Sequence, residues 1–208
     1  MPNRSSDYTN HQITTVVFDV GRVLVDFSFL SFLSLLNQHG FEGDAAKLFS
    51  LIDLNSHERG ELSSEDFILR IESLLTKQID RVELTRTWTE IFTPLSGMQD
   101  LAKHLRRSYK VALLSNTSEM HWQYLIHHCR LGELADSYLT SFEAGVMKPD
   151  AKIYVHAEQK FSCRPEQIVF IDDLEDNVRA AELCGWQAIV HISLEETKSK
   201  LVSLGIEV

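Results

Sequence analysis

Three apolar runs organise the chain, and each ends on polar residues. Ile13-Thr14-Thr15-Val16-Val17-Phe18 ends at Asp19, Lys110-Val111-Ala112-Leu113-Leu114 at Ser115-Asn116, and Gln167-Ile168-Val169-Phe170-Ile171 at Asp172-Asp173. A strand covered on both faces needs no polar side, so short continuous apolar runs predict buried parallel strands. Ala188 to Ile192 predicts a fourth. Helical patterns separate the runs at Asp100–Ser108, Ser118–Cys129, Ala151–Phe161 and Asp176–Cys184. Ser118 and Asp150 are placed as N-caps, and Gly185 as a C-terminal stop. Strands alternating with helices predict an open α/β sheet of Rossmann type.

The stretch from Phe27 to Pro94 has another character. Phe29, Leu30, Phe32, Leu33, Leu35 and Leu36 recur at helical spacings, as do Phe67, Ile68, Ile71, Leu74 and Leu75. Ser63 and Asp66 have the spacing of a capping box, with Asp in place of the usual Glu. No strand pattern interrupts the stretch. The predicted organisation is a core from residues 12–26 and 95–208, with residues 27–94 inserted as an all-helical cap.

Composition narrows the classes. With 44% apolar and 24% charged residues in 208, the chain has the balance of a globular protein able to bury a core. Thirty acids against twenty bases give a net charge of -10, which disfavours nucleic acid as a partner. The same charge repels a small phosphate, so a phosphate site here needs local positive charge. Cys129, Cys163 and Cys184 form no CxxC and suggest neither a disulfide framework nor a zinc site. No run reaches the ~20 apolar residues of a membrane span. Met1 to Gln12 is polar and lacks the apolar core of a signal peptide, which predicts a loose tail on a cytoplasmic protein.

The polar residues at the run ends carry the chemistry. Ligands in open α/β sheets bind outside the carboxyl ends of the strands, where Asp19, Ser115, Asn116, Asp172 and Asp173 all fall. Lys148, just ahead of a predicted helix, is placed at the same edge. Asp19 and Asp172 suit one Mg2+, a hard cation that prefers oxygen ligands. Ser115 and Asn116 can donate hydrogen bonds to phosphate oxygens, and Lys148 supplies the required positive charge. A carboxylate in line with phosphorus can form an aspartyl-phosphate that water then hydrolyses. Taken singly, each residue is an ordinary turn, cap or solvated side chain; the order and spacing of all four groups is what is specific.

In that order, Phe18-Asp19-Val20-Gly21-Arg22-Val23-Leu24, Leu114-Ser115-Asn116-Thr117, Lys148-Pro149-Asp150 and Ile171-Asp172-Asp173-Leu174-Glu175-Asp176-Asn177 resemble the four motifs of the haloacid dehalogenase superfamily. The likeness runs from Val16 to Ile192 and extends to the subgroup with a small helical cap. His57-Glu58-Arg59-Gly60-Glu61-Leu62-Ser63 is similar to the bacterial α-D-glucose-1-phosphate phosphatases of that subgroup. The resemblance implies a Mg2+-dependent phosphatase acting on a small phosphorylated metabolite. It implies Asp19 as nucleophile and metal ligand, the Gly21 carbonyl and Asp172 as further ligands, and Asp173 and Asp176 as metal-supporting acids. It also implies that Ser115, Asn116 and Lys148 hold the phosphoryl group.

One position departs from the usual family pattern. Gly21 stands where most family phosphatases carry a second Asp that protonates the leaving group and then activates water. General acid-base help of that kind is worth ~10²–10⁴-fold. Either the leaving group needs little protonation, as for a sugar-1-phosphate, or the cap supplies the acid; His57 and Glu58 are its candidates, with Arg59 as a neighbouring substrate contact. Arg22 also departs, standing where the family pattern has Asn. Three rival readings remain: a metal-free 2-haloacid dehalogenase using the same Asp19, a weak or regulatory protein that keeps the fold, and a phosphomutase, for which Gly21 lacks the acid that passes protons to and from the sugar.

Overall fold

The computed structural model describes residues 12–208, so the polar start before Gln12 lies outside the described residues. At the centre is a five-stranded parallel sheet in the order β5-β4-β1-β6-β7. Its strands are β1 (Thr15–Phe18), β4 (Lys110–Ser115), β5 (Ser137–Thr140), β6 (Ile168–Asp172) and β7 (Gln187–Val190). The expected sheet and four of its strands are present; β5 is additional. β1 sits in the middle, and the chain winds outward first through β4 and β5, then through β6 and β7. The order therefore reverses beside β1, which opens a crevice at the carboxyl end of that strand.

Both sheet faces are buried, with a period of two. Val16, Phe18, Val111, Leu113, Val169 and Ile171 face one core cluster. It is closed by α6 (Ser96–Leu105), α7 (Glu119–His128) and α11 (Leu194–Ser203). Val17, Ala112, Leu114, Ile168 and Phe170 face the other, beneath α9 (Ala151–Phe161) and α10 (Glu175–Leu183). The cap signals act as predicted. Ser118 accepts from the His121 N–H, Asp150 from the Lys152 N–H, and Gly185 ends α10's turn at φ +89°.

The inserted stretch builds its own core. It contains α1 (Leu30–Gln38), α2 (Ala45–Ile52), α3 (Leu54–Glu58), α4 (Ser64–Ser73) and α5 (Arg81–Thr89). Phe32, Leu36, Leu48, Ile52, Phe67, Ile71, Leu84 and Trp88 are all fully buried among these helices. Burying such side chains contributes roughly 1.5–3 kcal/mol each, which explains how short helices of weak individual propensity hold together. Half of the expected capping box forms: Ser63 accepts from the Asp66 N–H at 3.1 Å and donates to its carboxylate at 2.6 Å.

The all-helical expectation needs one correction. The borders of the insertion pair as an antiparallel ribbon, β2 (Val25–Phe27) with β3 (Phe92–Pro94). Each strand is three residues long, so the pairing comes from bringing the two ends of the insertion together rather than from local pattern. The remaining short helix, α8 (Ser141–Ala144), follows β5 and faces α3 of the cap.

Candidate active site

Asp19 directly follows β1, and its N–H continues the ladder by donating to the Ile171 carbonyl at 2.8 Å. Asp172 is the last residue of the neighbouring β6 and is fully buried. Adjacent parallel strands thus place two carboxylates side by side. Lys148 lies between them: its Nζ donates to Asp19 Oδ1 at 2.6 Å and to Asp172 Oδ2 at 2.7 Å. Burial of three charges is tolerable only with this pairing and the surrounding hydrogen bonds. Burial alone would lower the Lys148 pKa, but Asp19 and Asp172 outweigh it and hold the ammonium above its ordinary range. Burial pushes the Asp19 carboxyl upward; Lys148 opposes that push and Asp172 adds to it.

The sequence-predicted metal donors are partly assembled. Carboxylate oxygens of Asp19, Asp172 and Asp173 all lie within 4.8 Å of one another. Three hard oxygen donors of this kind fit Mg2+. Asp176 is not in that group; it is exposed in the first turn of α10, where an acid interacts favourably with the helix dipole. The residue sequence reasoning missed is Asn177. Its Nδ2 reaches both Asp172 oxygens at 3.0 Å, the Leu174 N–H donates to Oδ1 at 2.9 Å, and Tyr154 holds the Asn177 carbonyl at 2.8 Å. The signal available was a buried position on α10's inner face occupied by an amide.

Ser115 ends β4 beside Asp19's strand, and Asn116 directly follows it. The Ser115 hydroxyl makes only a long 3.5 Å contact with the next carbonyl, which leaves it able to donate elsewhere. Asn116 is differently employed from the expectation. Its amide accepts from the Lys148 N–H at 2.8 Å and donates to the Lys148 carbonyl at 2.9 Å, clasping the loop that presents the lysine. Arg22, at φ 60°, turns outward to pair with Asp26 and lies over the Phe27 ring.

A narrow cleft of about 80 Å³ opens beside Asp19, lined by Val20, Gly21, Ser115, Asn116, Thr117 and Glu58 at its polar end. Phe27, Phe29, Ile91, Phe92 and Leu125 form an apolar wall, with His121 at the junction. Phe92 is therefore a wall of the cleft. His121 is a packing histidine: it stacks on Trp88 and its Nε2 donates to the Trp88 carbonyl at 3.0 Å, joining α7 to the cap. Burial lowers its pKa to about 4.

The three cap candidates separate clearly. His57 is buried in the cap core, stacked 4.0 Å from Phe67 and bonded through Nδ1 to the Leu62 carbonyl at 3.0 Å. Arg59 faces away, bonded to Glu61 and Ser56. Only Glu58 of the three reaches the cleft, and burial pushes its carboxyl up to about 7.

The family follows from this fold and from comparison. The chain belongs to the haloacid dehalogenase-like hydrolases, whose family model matches residues 13–185. A similar fold occurs in a HAD family enzyme from Bacteroides thetaiotaomicron, at a TM-score of 0.82 and 22% identity over 91% of this chain and 98% of that one. A structure of that enzyme with magnesium and inorganic phosphate aligns at 0.77 and 23% identity, covering 86% and 94%. Among curated proteins, the sesquiterpene phosphatase astK of Aspergillus oryzae (strain ATCC 42149 / RIB 40) is 22% identical over 81% of this chain and 85% of its own. The drimenol cyclase drtB of Aspergillus calidoustus is 26% identical over 51% of this chain; the match spans 20% of the cyclase. Among the described residues, no helix is long and apolar enough to cross a membrane.

Proposed function

We propose that this hydrolase cleaves a small phosphomonoester in the presence of Mg2+, through an aspartyl-phosphate on Asp19. The observation that carries the reading is the buried Lys148 bridging Asp19 and Asp172, with Asp173 completing a group of three acids. Asp19, Asp172 and the Gly21 carbonyl would hold the ion, with Asp173 at its edge. Bound there, Mg2+ would offset phosphoryl charge as a Lewis acid. Asp176 has no part in this reading.

The chain's own residues do the rest. The Asp19 carboxylate attacks phosphorus, and the bond to the leaving oxygen breaks. Lys148 neutralises charge on the phosphoryl oxygens while fixing Asp19's orientation. The Ser115 hydroxyl and the Asn116 backbone N–H donate to those oxygens, because the Asn116 side chain is committed to Lys148. Water then attacks phosphorus and frees Asp19.

The cleft favours an apolar alcohol over a sugar as leaving group. A sugar brings several hydroxyls, and each buried without a partner costs roughly 1–3 kcal/mol. Phe27, Phe29, Ile91, Phe92 and Leu125 offer none. The similarity to a sesquiterpene phosphatase of Aspergillus oryzae supports such a substrate. The sugar-1-phosphate expectation therefore ranks second.

The test is phosphate release from prenyl, alkyl and sugar monophosphates with Mg2+, on the protein and on Asp19→Asn. Prenyl and alkyl esters should be preferred, and chelation or Asp19→Asn should abolish turnover. Activity that survives Asp19→Asn sinks the nucleophile assignment. Chelator-resistant release of halide from a 2-haloacid would make the protein a dehalogenase, and no turnover on any ester would make it a regulatory member.

A further inference from the structure

We infer that Glu58 of the cap is the proton donor and acceptor that the Asp19 loop lacks. The inference rests on the reading of Asp19 as the nucleophile. Gly21 has no side chain to give a proton, and the space beyond it is already taken: a Cβ there would stand 3.1 Å from the Phe27 ring. Any acid must come from another wall of the cleft. Of the residues lining it, only Glu58 carries a carboxyl group.

Glu58 is held in place by the core rather than by the cap alone. The buried Ser141 hydroxyl, at the start of α8, donates to the Glu58 carbonyl at 2.6 Å. The same oxygen accepts from the Thr117 N–H at 2.9 Å. One side chain thereby ties the acid to the loop bearing Ser115 and Asn116. Two residues on, Gly60 passes so close to the Phe142 carbonyl that an added Cβ would lie 2.6 Å from it. The cap thus docks on α8 at the turn that carries Glu58. Burial favours the protonated carboxyl.

The steps balance. In the first, an Asp19 oxygen bonds to phosphorus, the bond from phosphorus to the ester oxygen breaks, and the Glu58 proton passes to that oxygen to give the alcohol. In the second, the Glu58 carboxylate takes a proton from water as the water oxygen bonds to phosphorus. The Asp19–phosphorus bond breaks, phosphate departs, and both carboxyl groups return to their starting states. The net change is ester plus water to alcohol plus phosphate.

Leaving-group dependence tests the role. Glu58→Gln keeps the size and the backbone ties but cannot cycle a proton. On an alkyl phosphate, its kcat should fall ~10²–10⁴-fold with no phosphoenzyme accumulating, because the first step is slowed. On 4-nitrophenyl phosphate, whose leaving group needs no proton, a burst of one nitrophenolate per protein should precede slow turnover. The phosphorylated protein should then be visible by mass. Glu58→Asp should recover part of the alkyl phosphate rate. A Glu58→Gln protein with wild-type kcat on the alkyl ester and no burst overturns the inference while leaving Asp19 intact. Wild-type turnover that does not depend on Asp19 overturns the underlying reading instead.

Discussion

Gly60→Ala is the most direct probe of how the cap meets the core. Two costs arise from the structure. Gly60 sits at φ +72°, where a side chain costs about 1–2 kcal/mol, partly offset by about 0.4–1 kcal/mol from a stiffer unfolded chain. The new Cβ would also lie 2.6 Å from the Phe142 carbonyl oxygen, where ordinary contact begins at 3.4 Å. The Cβ is fixed by its own backbone and the Phe142 oxygen is backbone, so neither can swing aside, and overpacking of that kind costs about 1–3 kcal/mol. The expected loss is about 2–4 kcal/mol, or a fall in Tm of roughly 4–16 °C for a chain of this size. Gly205→Ala separates the two costs: Gly205 has φ +79° with nothing within 4 Å of its Cβ, so it should lose no more than about 1–2 kcal/mol. Urea unfolding and thermal melts of the two variants measure the difference. Equal losses would refute the close approach of α3 to α8. Because Gly60 follows Glu58 by two residues, the alkyl phosphate rate should fall in Gly60→Ala and not in Gly205→Ala.

Two further outcomes follow from the site. Asn177→Ala removes the amide that fixes both Asp172 oxygens, so the Mg2+ concentration giving half-maximal activity should rise 10–100-fold; an unchanged Mg2+ titration would remove Asn177 from the metal site. His121 has a folded pKa near 4 against an ordinary 6.5, so as pH falls the unfolded chain takes up the proton first. Its stability contribution is intact above about pH 6.5, is lost progressively toward pH 4, and amounts to roughly 3 kcal/mol at the lower end. Unfolding free energies of the protein and His121→Gln should diverge over that window, and parallel curves would show that His121 is not buried neutral.

What the sequence disclosed, and what it hid, follows from where information is local. β1, β4 and β6 were legible because a strand covered on both faces must be apolar at every position. β5 was not: Ser137-Tyr138-Leu139-Thr140 is a short edge strand with Tyr138 half open to solvent, and its pattern is that of a loop. β2 and β3 are three residues each and exist only because the ends of the insertion meet. Asp19, Asp172 and Lys148 were legible as strand-end and loop residues in a fixed order. Asn177 and Ser141 were hidden because an amide or hydroxyl on a helix reads as ordinary polar surface until its partners are known. Glu58 and His57 are adjacent, and one helical step of about 100° decides which enters the cleft and which enters the cap core.

That single step decides what the proposed proton delivery would require of the cap. An acid on the Asp19 loop would protonate the leaving group wherever the cap stood, since nucleophile and acid would share one rigid strand end. With Gly21 in that position and the acid on α3 as proposed, proton delivery would require the cap to be docked. The docking contacts include the Gly60–Phe142 approach, the Ser141–Glu58 hydrogen bond, and the His121–Trp88 stack with its hydrogen bond. Of these residues, Glu58 and His121 line the cleft. On that proposal, hydrolysis of a poor leaving group would be conditional on cap docking, whereas an ester with a good leaving group would escape that condition in the first step. Weakening any of the three contacts should therefore lower turnover of alkyl esters before it affects formation of the phosphoenzyme from aryl esters.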